Sequence, residues 1–211
     1  RLVAERARSA REAVEIAGAL IEEFGYTSGR CYQFCDKNEA WVFQIPTGRR
    51  YVAKRIPDDH VYMIPNNYTI HEVDFADTEH KNCYFSKDLV EYAMKNGWYQ
   101  PAVPGDYSDF DFVRAYQDGP DKVHNLIRAR QTWPMLLGER PEEWRPFSRK
   151  APRKYTVAEL RRLLSSHFEG TEDDYNNGYE RNPHIDRDPC PLCNAMTAES
   201  SVIEFAEEPA M

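Results

Sequence analysis

The stretch Cys31–Asn67, CYQFCDKNEAWVFQIPTGRRYVAKRIPDDHVYMIPNN, decides the fold of this chain. Four short runs rich in β-branched and aromatic residues, CYQFCD, AWVFQI, YVAKRI and VYMI, are separated by the turn-forming clusters KNE, PTGR and PDDH. Runs of this length that are joined by short turns are typical of antiparallel strands. The stretch therefore predicts an antiparallel meander from Cys31 to Ile64, after which Pro65 leads into two consecutive asparagines.

The segment before the meander predicts an amphipathic helix. Apolar side chains recur there at alternating steps of four and three residues, at Val3, Ala7, Ala10, Val14, Ala17, Ile21 and Phe24. Gly25 follows as a helix stop. Alanines along this seam suit close packing against a sheet better than a coiled coil, the alternative interpretation. We expect the helix to cover the outer face of the meander.

Downstream of the meander the sequence predicts mainly helices. The stretch 86–97 begins with a serine N-cap and ends with a glycine stop. Residues 122–133 have a helical pattern that should end at Pro134. Thr156 and Glu159 have the spacing of a capping box, which predicts a helix start.

These elements predict an α+β protein in three segments. Residues 1–84 should form the helix and the antiparallel sheet, and residues 85–170 a mostly helical lobe. Residues 171–211 should form a loop-rich tail, in which SSVIEF at 200–205 is a possible returning strand.

Charge and composition exclude several classes of partner. The 211 residues include 35 acidic and 27 basic side chains, a formal net charge of −8, which repels nucleic acid and anionic membranes. No run of 18 apolar residues is present to predict a membrane span. Five cysteines, an odd number in a chain of this size, favour reduced thiols and hence a cytoplasmic location.

The spacing of cysteines and histidines predicts neither a metal nor a cofactor. Cys190 and Cys193 have the C-x-x-C spacing of a zinc ligand pair, but a second comparable pair is missing, because Cys31 and Cys35 lie four apart within one strand. We therefore expect ordinary loop thiols, with a zinc module as the alternative. The histidines show no i, i+4 pair, at His60, His71, His80, His124, His167 and His184.

A family resemblance spans nearly the whole chain. The patterns that carry it are D..EAW at 36–41, R.PDD at 55–59, an asparagine followed by I..VD at 70–74, and HFEGT at 167–171. In this order they resemble the middle of the cysteine dipeptidases of the dipeptidase A and secernin family. The resemblance implies a part of the αββα sandwich of an N-terminal-nucleophile (Ntn) hydrolase, acting on short peptides.

In that family a processed N-terminal cysteine attacks the amide carbonyl, and its own α-amino group is the base. None of the five cysteines here is a first residue, so the resemblance implies that the nucleophile lies upstream of Arg1. The chain alone is then expected to be inactive. Its expected partners are a short peptide, the missing N-terminal segment of the same protein and, if apolar surface is left exposed, a second copy of itself.

The resemblance also assigns candidate site residues. Asn66, which follows the last predicted strand, corresponds to the family's asparagine and would donate to the tetrahedral oxyanion, with Asn67 as the alternative register. Both could instead form a polar turn. Arg187 is the candidate site arginine, and Arg181 is its alternative.

Two aspartates offer a further candidate contact. Asp58 and Asp59 follow RIP and should form a strand-end turn, or else bind the substrate amine. A rival from another functional class is a catalytically inactive protein that keeps the scaffold and binds a partner in its groove. The upstream coding sequence would separate the two, since a cysteine at a processed N-terminus favours the enzyme.

Overall fold

The predicted meander forms the centre of an antiparallel sheet. The computed structural model describes residues 1–140, 146–175, 182–185 and 191–205. Strands β1 (Arg30–Cys35), β2 (Ala40–Ile45) and β3 (Val52–Ile56) pair in sequence order, each antiparallel to the next. The mixed α+β class is confirmed.

The fourth strand of the sheet is not the one that the sequence predicts. The expected strand VYMI is reduced to β4 (His60–Tyr62), and β3 pairs instead with β5 (Cys83–Phe85). Cys83 and Tyr84 are buried, and Asp77 accepts hydrogen bonds from three successive backbone N–H groups that lead into β5. A three-residue strand held in this way is too short for periodicity to detect.

Helix α1 (Ala10–Phe24) covers one face of this sheet, as predicted, although it begins later than Val3. It starts at Ala10 because Ser9 is its N-cap, whose side chain accepts from the Glu12 N–H. Gly25 ends it with a positive φ of 74°. Its buried residues pack against alternate side chains of β2, namely Trp41, Phe43 and Ile45.

The opposite face of the sheet contains a buried polar side chain. Cys31, Gln44 and Val52 lie side by side there, one on each of the three paired strands. Gln44 and Val52 are completely buried. A buried glutamine amide must be hydrogen-bonded to be tolerated, so this row of the sheet must receive polar partners from elsewhere in the chain.

Two short helices complete the first compact unit, residues 1–120. They are α2 (Leu89–Lys95) and α3 (Phe112–Tyr116). The N-cap predicted at Ser86 is wrong, because Asp88 occupies that position and the Ser86 hydroxyl accepts from the backbone N–H of Tyr51 at 3.1 Å.

The second compact unit, residues 121–211, contains α4 (Val123–Leu137), β6 (Ser148–Lys150) and α5 (Val157–Leu164). The capping box of Thr156 and Glu159 is confirmed. The helix end predicted at Pro134 is wrong: α4 continues one turn further, buries Leu136 and stops at Gly138, whose φ is 81°.

The returning strand expected at 200–205 does not form, and these residues have no regular secondary structure. Within the described parts of the chain, no helix combines the length and the apolar composition that a membrane crossing requires. The predicted division at residues 84 and 170 stays a prediction.

Candidate active site at the asparagine loop

The two consecutive asparagines lie in a loop that follows β4. We call residues 65–70 the asparagine loop. Pro65 is buried, whereas Asn66 is exposed and adopts a left-handed backbone conformation with φ of 77°. This conformation is uncommon outside glycine, although asparagine tolerates it better than most residues. The loop therefore displays Asn66 outward on a strained turn, which persists only if the surrounding residues hold it.

Gln44 holds the loop against the sheet. Its side-chain oxygen accepts from the backbone N–H groups of Thr69 at 3.2 Å and Ile70 at 3.1 Å. Its amide nitrogen donates to the Thr69 hydroxyl at 2.9 Å. The glutamine on the buried face of β2 thus finds its partners in this loop, which fixes the backbone three residues beyond Asn66.

Two tyrosine hydroxyls, that of Tyr62 before the loop and that of Tyr68 within it, add further hydrogen bonds. The hydroxyls of Tyr62 and Thr69 share a hydrogen bond of 2.7 Å. The Tyr68 hydroxyl donates to the Ile45 carbonyl at 2.8 Å and lies over Gly29, where an added Cβ would be 2.3 Å from it. Burial raises the pKa of Tyr68 to about 12, so its hydroxyl stays a donor at any physiological pH.

Cys31 lies beneath the loop but is not an activated nucleophile. Its thiol donates to the Asn67 carbonyl at 3.7 Å. Burial raises the pKa of Cys31 to about 12, outweighing a hydrogen bond with Gln44 that lowers it. Because the thiolate is the reactive form, Cys31 serves packing and loop support.

The residues after the loop are fixed as well. His71 Nδ1 lies 2.9 Å from an Asp111 carboxylate oxygen, and the backbone N–H of Phe112 donates to the His71 carbonyl at 2.9 Å. Glu72 and Asp111 also form an isolated β-bridge. The chain is therefore held from Asn67 to His71, and Asn66 lies exposed immediately before this held stretch.

The candidate aspartates lie at the other end of β4. The backbone N–H of His60 donates to the Pro57 carbonyl at 3.0 Å, which closes a turn around Asp58 and Asp59. Asp58 forms an ion pair with Arg55, while 73% of its side chain stays exposed. The Oδ1 atom of Asp59 lies 3.8 Å from Nε2 of His60.

Arg187 and Arg181 lie outside the described residues. Sequence reasoning missed Gln44, whose only signal was a polar residue inside the otherwise apolar run WVFQI. It also missed a cluster of His167, His184 and Cys193, because these residues are distant in sequence and follow no helical spacing.

A helix on one face of an antiparallel sheet, and a fixed asparagine loop on the other, define a class of α+β protein with a polar site beside the sheet. Residues 1–205 match the model of Peptidase family C69. The chain belongs to this peptidase family, and the resemblance read from the sequence is confirmed.

Curated relatives agree with this assignment. The chain is 31% identical to a "Probable dipeptidase" of Latilactobacillus sakei over 85% of its length, which is 38% of that protein. It is 32% identical to a "Dipeptidase" of Bifidobacterium longum (strain NCC 2705), over 85% of this chain and 37% of the relative. A third relative, a "Probable dipeptidase B" of Lactococcus lactis, is 32% identical over 82% and 37%. The chain thus spans less than two fifths of these relatives.

Proposed function

We propose that this chain is part of a cysteine-type dipeptidase that hydrolyses the amide bond of short peptides. The observation that carries this proposal is the family match over residues 1–205, with relatives that are themselves named dipeptidases. The nucleophile in this proposal is an N-terminal cysteine outside the 211 residues, whose α-amino group is the base. Chain 1–211 alone is then expected to be inactive.

In this proposal Asn66 stabilises the oxyanion of the tetrahedral intermediate. A side-chain amide is an effective donor only if it is already oriented when charge develops on the substrate oxygen. This role is supported by the bonds from Thr69 and Ile70 to Gln44, which hold the backbone three and four residues beyond Asn66. Asn66 is preferred to Asn67 because Asn66 is exposed, whereas the Oδ1 atom of Asn67 is buried.

Charged residues have secondary roles in the proposal. Asp58, with its largely exposed carboxylate, is suited to bind the free amino group of a dipeptide, and Asp59 is the neighbouring alternative. Arg187 is kept as the candidate site arginine, with Arg181 as its alternative. We propose a reducing, cytoplasmic setting, because the described cysteines are all free thiols.

The test is to isolate the protein from its native source, to determine its intact mass and N-terminal sequence, and to assay that species with dipeptides. A processed N-terminal cysteine together with dipeptide turnover, abolished by alkylation of that cysteine, supports the proposal. A native chain that begins at Arg1 and binds peptides without cutting them would favour the non-catalytic binding protein instead.

A further inference from the structure

Three potential metal ligands from separate stretches of the second unit meet in space. One ligand atom each from His167, His184 and Cys193 lies within 4.8 Å of the other two. The rings of His167 and His184 are nearly perpendicular, with centroids 5.1 Å apart. An imidazole pair and a thiol converge here without a helix or a strand to bring them together.

Backbone hydrogen bonds connect the stretches that carry His167 and Cys193, and a local bond forms a turn at His184. The N–H of Cys193 donates to the Ser166 carbonyl at 3.2 Å, which joins the Cys193 stretch directly to the residue before His167. The His167 carbonyl accepts from the Tyr175 N–H at 3.0 Å. The N–H of His184 donates to the Asn182 side chain at 2.9 Å. Two of the three ligands are therefore held close together by the backbone, and the third lies beside them.

Glu169 orients His167 as a carboxylate orients a metal-bound imidazole. Its Oε1 lies 2.9 Å from His167 Nδ1, and its Oε2 accepts from the His167 backbone N–H at 3.1 Å. With Nδ1 engaged by the carboxylate, Nε2 is the nitrogen that can coordinate a cation. Carboxylate–histidine–metal arrangements of this kind fix the tautomer and make the coordinating nitrogen more basic.

The donor set selects the metal. One thiolate and two imidazoles suit zinc, whereas magnesium and calcium require oxygen ligands. With zinc–nitrogen and zinc–sulfur bonds of about 2.0 and 2.3 Å, ligand atoms on a tetrahedral ion lie about 3.3 to 3.6 Å apart. The three ligand atoms, within 4.8 Å of one another, would close on the ion by side-chain rotation.

We propose that His167, His184 and Cys193 supply three ligands of a tetrahedral zinc site whose role is structural, with a water molecule as the fourth ligand. The described residues after α5, in 166–175, 182–185 and 191–205, form no helix or strand. A metal that joins three such stretches would supply stability that regular secondary structure does not. This role is separate from the proposed hydrolysis, since the site requires neither a substrate nor the N-terminal cysteine. It also reverses the expectation from spacing that Cys193 is an ordinary loop thiol.

The experiment measures zinc bound to the full-length protein after dialysis against a weak chelator. We expect one zinc per chain, and in the cobalt-substituted protein a thiolate-to-cobalt charge-transfer absorption. Cys193→Ser should abolish that absorption and lose zinc, whereas the matched thiol control Cys35→Ser should keep both. His184→Gln should weaken zinc binding, and its control His60→Gln should not.

Glu169→Gln adds a graded readout, with zinc affinity expected to fall about tenfold to a hundredfold through the lost orientation of His167. A wild-type protein that holds no zinc and gives no cobalt–thiolate absorption would overturn the proposal. So would a Cys193→Ser variant that keeps its zinc. Dipeptide turnover is not among these readouts, so failure of the zinc site and failure of the dipeptidase proposal are distinguishable.

Discussion

At the residue scale, Gln44 makes three of the hydrogen bonds that hold the asparagine loop. A fully buried amide in the middle of a strand is unfavourable by itself, yet both its oxygen and its nitrogen form hydrogen bonds with one short stretch, Thr69 and Ile70. The glutamine and the loop therefore stabilise each other. An apolar residue at position 44 would leave the loop's two N–H groups buried without an acceptor.

Gln44→Leu should lower the free energy of unfolding by about 3 kcal/mol, since each buried donor left unsatisfied costs roughly 1–3 kcal/mol. Denaturant unfolding measures this loss. The matched control is Gln33→Leu, an exposed glutamine on the neighbouring strand β1, which should stay within about 0.5 kcal/mol of wild type. Equal stability of Gln44→Leu and wild type would show that the loop does not rely on this amide.

Cys31 gives a second prediction at this scale. Since burial raises its pKa to about 12, the thiol stays protonated at pH 8 and should be alkylated by iodoacetamide far more slowly than in unfolded protein. Peptide mass mapping after timed labelling measures the rate. Labelling of Cys31 as fast in the native protein as in denaturant would contradict the assignment of this thiol to packing.

At the element scale, the approach of α1 to the sheet depends on Gly18. A Cβ at this position would be 2.4 Å from the Tyr51 hydroxyl and 2.5 Å from the adjoining ring carbon. Tyr51 is itself buried and stacks on Phe43 at 4.8 Å between centroids. The ring therefore cannot move away without disturbing the core that α1 covers.

Gly18→Ala should destabilise the protein by about 1–2 kcal/mol, although glycine to alanine in a helix normally stabilises by about 1 kcal/mol. Thermal or denaturant unfolding measures whether the substitution lowers or raises the stability of the protein. The control is Ala19→Gly, at the adjacent exposed position of the same helix. It measures the difference in helix propensity between alanine and glycine without the contact to Tyr51. A stabilised Gly18→Ala would mean that helix and sheet pack less closely than described.

Helix α5 should make stability depend on pH at its N-terminus. The backbone N–H of Thr156, the Arg153 guanidinium and the Thr156 hydroxyl lower the pKa of Glu159 from an ordinary 4.5 to about 2. A carboxyl with a lower pKa in the folded state contributes stability above pH 4.5, and this contribution is lost as the pH falls toward 2.

Glu159→Gln keeps a capping side chain and removes the charge, so it isolates this effect. The melting temperature of wild type should exceed that of the variant at pH 6, and the difference should shrink between pH 4.5 and 2. A difference that stays constant over this range would contradict the assignment.

Local sequence signals predict some of the helices and strands and miss others. Strands β1 to β3, the helix α1 and the capping box of α5 follow from local signals that tertiary packing reinforces. Strand β5 and the last turn of α4 do not, because the first depends on the distant edge of β3 and the second on burial of Leu136 beyond a proline. The asparagines could be named from the resemblance, but Gln44 could not, since its partners lie 25 and 26 residues away.

At the scale of the whole molecule, the edge of the sheet should govern association. Strand β1 is an edge strand of the four-stranded sheet described, and it exposes 39% of Tyr32. Unpaired strand edges bind further strands. We therefore expect isolated chain 1–211 to self-associate in sedimentation velocity, and Tyr32→Lys to weaken that association. A wild-type chain that remains monomeric at its highest soluble concentration would contradict this expectation.

The proposed oxyanion role of Asn66 is tested by the kcat of Asn66→Gly in the full-length protein with a saturating dipeptide. Glycine accepts the positive φ of this position, so the variant removes the amide without straining the loop. We predict a fall in kcat of about 10²–10³-fold, with wild-type kcat in the exposed control Asn38→Gly. An Asn66→Gly enzyme that keeps its kcat, or a comparable loss found only in Asn67→Ala, would contradict the assignment.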